Sequence, residues 1–169
     1  LCGGGVVGEK GAISLGEAVL GAGSRGKPNV GGGLYLAESS LSVGPGTTFS
    51  NNCAGTSGGA VWARDGQLSF ADNVVFSQNT AASAARGGGA IHAVNCRVFF
   101  GNNALFSQNA TGGVGGGVLA EAGAVSFGAG ARFIDNSAAL SGGALYAGGG
   151  GTSASAPFPG NHSGSTGGA

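Results

Sequence analysis

Apolar residues in this chain alternate with polar or small ones in short runs, and glycine or a small polar residue interrupts each run after a few positions. No window shows the three-to-four-residue apolar spacing of an amphipathic helix, so the pattern predicts short strands joined by tight turns. The runs are copies of one another. A glycine-led motif recurs as Gly31-Gly32-Gly33-Leu34-Tyr35-Leu36, Gly58-Gly59-Ala60-Val61-Trp62-Ala63, Gly88-Gly89-Ala90-Ile91-His92-Ala93, Gly115-Gly116-Gly117-Val118-Leu119-Ala120 and Gly142-Gly143-Ala144-Leu145-Tyr146-Ala147, with further starts at Gly3 and Gly167. Successive starts at 3, 31, 58, 88, 115, 142 and 167 differ by 28, 27, 30, 27, 27 and 25 residues. A fixed period in this range is the signature of a solenoid.

A second motif, Phe-x-x-Asn, keeps step with the first at Phe49 to Asn52, Phe76 to Asn79, Phe106 to Asn109, Phe133 to Asn136 and Phe158 to Asn161. Its Asn falls six residues before the next glycine pair in every copy except Asn79, which falls nine before Gly88. That difference predicts a three-residue outward insertion within Ala81 to Arg86. Between the two motifs lies a third apolar segment: Ile13-Ser14-Leu15, Leu41-Ser42-Val43, Leu68-Ser69-Phe70, Val98-Phe99-Phe100 and Val125-Ser126-Phe127.

Three short strands and three turns in about 27 residues make one coil of a right-handed parallel β-helix. Residues 1–169 then read as a single repeat domain of about six coils, a rod of roughly 29 Å at about 4.8 Å per coil. Stacking turns each motif position into a column along the axis. Inward Phe rings stack on their copies, each burial being worth roughly 1.5 to 3 kcal/mol. The motif Asn, tolerant of left-handed backbone, closes a turn and passes a hydrogen bond to the next coil. Phe49, Asn52, Phe76, Asn79, Phe106, Asn109, Phe133, Asn136, Phe158 and Asn161 are therefore the expected structural ladder, and the glycine pairs permit positive φ and close approach of coils.

Composition sharpens this reading. Forty Gly would suggest a linker, but 41% hydrophobic residues and nine Phe supply a core. Seven basic and seven acidic side chains leave no net charge, which argues against nucleic acid or anionic lipid as a partner. No apolar run is long enough to span a bilayer, and LCGGGVVGEK lacks the features of a signal peptide, so any targeting signal is expected outside this segment. Cys2, Cys53 and Cys96 allow one disulfide, with no metal-ligand spacing.

At GGAV, GGAI and GGAL, starting at Gly58, Gly88 and Gly142, and at FSNN, FSQN, FSQN, FIDN and FPGN, the sequence resembles the polymorphic outer membrane protein repeat family. That family is known from chlamydial surface autotransporters and from exported algal and protist proteins. The resemblance implies a surface-exposed β-helical passenger, often an adhesin. It departs from the family at Gly21-Ala22-Gly23-Ser24, where the first Phe-x-x-Asn should stand, and the segment contains no outer-membrane barrel.

Candidate chemistry is sparse. Glu38 and Asp65 each lie seven residues after a glycine start and share a column, where two carboxylates could share a proton or hold a cation. Asn95 follows in that column, no basic residue is expected in it, and the NTD, DD and GHG segments of β-helix hydrolases are absent. No catalytic, metal or cofactor residue is assigned, and the acids read as solvated turns. The column Tyr35, Trp62, His92, Leu119 and Tyr146 would be a recognition surface for sugars or a protein if it faces outward, and an apolar wall if inward. Sequons at Asn109 and Asn161 would carry glycans only if those side chains leave the ladder.

Because both ends stop inside the repeat, the segment reads as part of a longer array or as a subunit stacking end to end on identical subunits. The expected function is a non-catalytic extracellular or cell-surface structural or adhesive stalk. The alternatives are a subunit of an extracellular fibre, and a carbohydrate-binding or carbohydrate-cleaving protein. The expected partners are neighbouring coils, identical subunits, and a surface receptor or glycans.

Overall fold

A computed structural model of the chain describes residues 6–16, 19–21, 30–149, 151–153, 157 and 159–164. Among these there are twenty strands and no helix, and the strands pair in parallel. The strands stack as a β-solenoid of about five turns with repeats roughly 27 residues apart and three sheets around each coil. Phe158, Cys2 and the repeat starts at Gly3 and Gly167 lie outside the described residues.

Within a coil such as 61–81 the chain forms four strands: Val61–Arg64, Gln67–Phe70, Val75–Ser77 and Thr80–Ala81. The glycine-led segment and the central apolar segment both belong to one ten-stranded sheet, in which they are single continuous strands at Leu34–Val43 and Val6–Leu15. The Phe-x-x-Asn segment builds a second, five-stranded sheet. A two-residue strand after each motif Asn builds a third, from Cys53–Ala54 to His162–Ser163. Two residues are too few to show alternation, so this fourth strand carries no periodic signal.

Register follows the repeat. Ile91 pairs with Val61 on one side and Val118 on the other, and Phe106 pairs with Phe76 and Phe133. The long sheet bends at one left-handed residue per coil: Lys10, Glu38, Asp65, Asn95 and Ala122, with φ between 49° and 57°. The Phe-x-x-Asn corner is also left-handed, but at the residue before the motif Asn: Asn51, Gln78, Gln108 and Asp135, at 54° to 56°. The tolerance expected of the motif Asn is thus used one position earlier, and the Asn itself turns its amide inward.

The core holds two aromatic columns. Phe49, Phe76, Phe106 and Phe133 stack at centroid spacings of 4.6, 4.9 and 4.7 Å with planes within 5°. Phe70, Phe100 and Phe127, from the central apolar segment, stack at 4.8 Å. The columns meet edge to face, as at Phe100 to Phe106 (5.2 Å, 85°), which sets the positive ring edge against the negative face. Leu34, Val61, Ile91 and Val118 complete the core, so the glycine-led strands turn these residues inward. The second glycine of each pair packs against the next coil. A Cβ on Gly32, Gly59, Gly89 or Gly116 would run into the carbonyl oxygen of Gly59, Gly89, Gly116 or Gly143 respectively.

Candidate functional site

Inside the rod, the motif asparagines form a continuous chain of hydrogen bonds. The Asn109 side-chain carbonyl accepts from the backbone N–H (3.0 Å) and Nδ2 (2.9 Å) of Asn79. Its own Nδ2 donates to the Phe76 carbonyl (2.9 Å) and to Asn136 Oδ1 (2.9 Å). The pattern runs from Asn52, through Asn79, Asn109 and Asn136, to Asn161. Each side chain satisfies a backbone group at a turn and hands one bond onward, so a buried polar column carries little desolvation penalty.

This geometry bears on the sequons. Asn109 is fully buried with both amide hydrogens engaged, so a glycan has no place on it in the folded coil. Asn161 is half-buried, and its Nδ2 donates to the carbonyls of Phe133 (2.9 Å) and Pro159 (3.3 Å).

The acidic column differs from its expected composition. Pairing of Glu9 with Ala37 and Gly11 with Ser39 puts Lys10 beside Glu38, at the same left-handed bend. A basic residue therefore does stand in the column, contrary to expectation, because the register extends through the first coil. Asp65 accepts a hydrogen bond from Asn95 Nδ2 (2.7 Å) and pairs with Arg64 (3.4 Å). Both partners hold its carboxylate in solvent-facing contacts. Among the described residues no three His, Cys, Asp or Glu gather as a metal site.

The column from Tyr35 to Tyr146 faces outward, opposite the core residues, yet it is not an open platform. Tyr35 and Trp62 stack at 4.9 Å with planes 7° apart, so one face of each ring is spent on the other. Arg64 lies over Trp62 at 5.9 Å. His92 and Leu119 are buried, and Tyr146 is exposed. His92 meets Trp62 edge to face at 6.4 Å. Burial pulls the His92 imidazole below its ordinary value of 6.5, while Glu121 pulls it the other way.

One outward row and one outward contact go beyond the sequence expectations. The central strand segments present a row of serines, Ser14, Ser42, Ser69 and Ser126, interrupted by Phe99, which is 53% exposed. The insertion brings Arg86 to Glu121, Nη1 to Oε2 at 3.0 Å. The spacing located the insertion, but only the fold shows which residue of a later coil it meets. Cys53 is bonded in a disulfide; Cys96 is a free, buried thiol that burial pushes above its ordinary value of 9.0.

Neither the curated proteins nor the solved structures contain a match to this chain. The two Phe-x-x-Asn and glycine-led pairs of the central coils are the parts that a family model recognises. Residues 46–64 and 73–94 match the Chlamydia polymorphic membrane protein (Chlamydia_PMP) repeat, and over those stretches the chain is similar to that repeat family.

Proposed function

We propose that the chain is a non-catalytic structural stalk, exported to the cell surface or extracellular space, that displays its outer faces and supplies length. The observation that carries this reading is the pair of axial ladders, Phe and Asn, which run through the interior of the described coils. The ladders make each coil a support for the next, a design that serves reach and rigidity. Charged groups are few, and two ion pairs form on the outside of the described coils, Arg64 with Asp65 and Arg86 with Glu121. Two further points support export: the matched repeat is that of a membrane protein, and a disulfide at Cys53 suits an oxidising compartment.

An adhesive role would use the outer columns, with Tyr35, Trp62 and Tyr146 as the aromatic contributors. The test is labelling of intact producing cells with a membrane-impermeant reagent, together with imaging of the purified chain. Labelled chain and unbranched rods are expected. A chain protected until the cells are lysed, or turnover of a polysaccharide that Asp65→Asn abolishes, would overturn the reading.

A further inference from the structure

Among the described residues, the departure from the repeat period and the buried histidine occur side by side. His92 belongs to the outward row of the long sheet, with Trp62 before it and Leu119 after it in register. An outward residue of a solenoid ordinarily meets water, but His92 is 2% exposed. Neither ring nitrogen has a hydrogen-bond partner. Native structures rarely bury a polar group unpaired, and such a group calls for a reason.

The insertion stands next to His92, through Glu121. Ser83 Oγ accepts from the backbone N–H groups of Ala85 and Arg86 at 3.2 Å, closing a tight turn. That turn delivers Arg86 to Glu121 Oε2 at 3.0 Å. His92 Nε2 stands 3.6 Å from the same oxygen. One carboxylate oxygen thus lies between the arginine of the insertion and a buried imidazole.

We propose that His92, Glu121 and Arg86 form an acid-opened latch, which holds the insertion at residues 82–86 against the outer face at neutral pH and releases it on acidification. The groups facing His92 are Glu121 from Val118–Glu121, Arg86 from the insertion, and, across Trp62, Arg64 from Val61–Arg64. Protonation adds a second cation beside an oxygen that Arg86 already occupies, on a ring that is itself buried while Arg86 is exposed. The imidazolium and the guanidinium, both against one carboxylate oxygen, repel each other, so the exposed Arg86 yields and the imidazolium gains water as the turn lifts.

The sign follows from burial. His92 in the closed form has its pKa below 6.5, with desolvation the largest cause, then the opposing Glu121. The open form returns it to the ordinary value and so binds more protons. The closed form is fully stable above 6.5 and loses stability as pH falls from there towards the lowered value. One proton can raise the opening equilibrium by at most about tenfold per pH unit.

Trp62 is the single tryptophan, and it meets His92 edge to face, so its fluorescence reports the charge of that ring. The experiment titrates the whole chain from about pH 8 to about pH 5, the histidine range, and follows Trp62 emission and amide exchange at 82–87, corrected for the intrinsic exchange rate. Wild type should show both signals moving together below 6.5, with exchange in Arg97–Phe100 unchanged. His92→Gln should be flat, and Arg86→Gln should exchange fast at every pH. Wild-type exchange that ignores pH, or a wild-type response in His92→Gln, would overturn the latch. If His92→Gln does not fold, the His92 ring resonances of wild type decide: titration at or above 6.5 would overturn it equally.

Discussion

Asn109→Ala is the substitution that the ladder makes most informative. Asn109 is fully buried at the centre of the column and takes part in four side-chain hydrogen bonds. Truncation leaves the Asn79 backbone N–H without its acceptor and the Phe76 carbonyl without its amide donor. Each buried group so orphaned costs about 1–3 kcal/mol, which gives a loss of about 2–6 kcal/mol. For a chain of this size, roughly 2–4 °C of Tm per kcal/mol converts the loss to a drop on the order of 10 °C. Asn109→Leu keeps the volume and removes donors and acceptor alike without adding a charge, so an equal or larger loss would assign the effect to hydrogen bonding rather than to a cavity. Asn161→Ala should cost less, since Asn161 is half-buried and water can replace its bonds. Urea and thermal unfolding followed by circular dichroism measure all three. A loss under about 0.5 kcal/mol for Asn109→Ala, the range of ordinary surface changes, would refute the ladder as a source of stability.

Four further outcomes are expected. Phe99→Ser, which restores the serine row at a 53% exposed site, should shift stability by no more than about 0.5 kcal/mol, whereas Phe100→Ala next to it should cost about 3–5 kcal/mol in the same unfolding assay. Gly89→Ala drives a Cβ into the Gly116 carbonyl and should cost about 1–3 kcal/mol, with amide exchange accelerated in the two coils it separates. Cys96 should resist alkylation in the native chain and react after unfolding, because burial both shields the thiol and disfavours the thiolate; mass spectrometry after timed labelling measures this. Expressed in a glycosylating host, the folded chain should lose no mass at Asn109 on endoglycosidase treatment.

Much of the fold was legible because a solenoid writes its contacts along the sequence. A residue and its copy about 27 positions later are spatial neighbours, so the spacing of Phe49, Phe76, Phe106 and Phe133 gives the stack directly. What the period cannot specify is direction. Phe99 and Phe100 are equally apolar, and only the pleat decides that one is wet and the other buried. Nor does it reveal contacts between columns: His92 and Glu121 are 29 positions apart, and Arg86 reaches Glu121 from an insertion outside the repeat. Lys10 shows a simpler limit, for its place beside Glu38 was readable from the glycine start at 3 once the first coil was counted in register.

The bend of the long sheet and the corners of the other two direct nearly every backbone hydrogen bond along the rod, as from Thr80 to Asn52 and from Ala110 to Asn79. Under tension such a molecule should behave anisotropically. A pull along the axis loads one coil interface at a time, so turns should peel off singly rather than yield together. Each released turn of 27 residues would add about 90 Å of slack chain, at about 3.4 Å per residue. Force spectroscopy on the tethered chain should show a sawtooth of that spacing, in which the rod lengthens in steps and gives up its order one coil at a time.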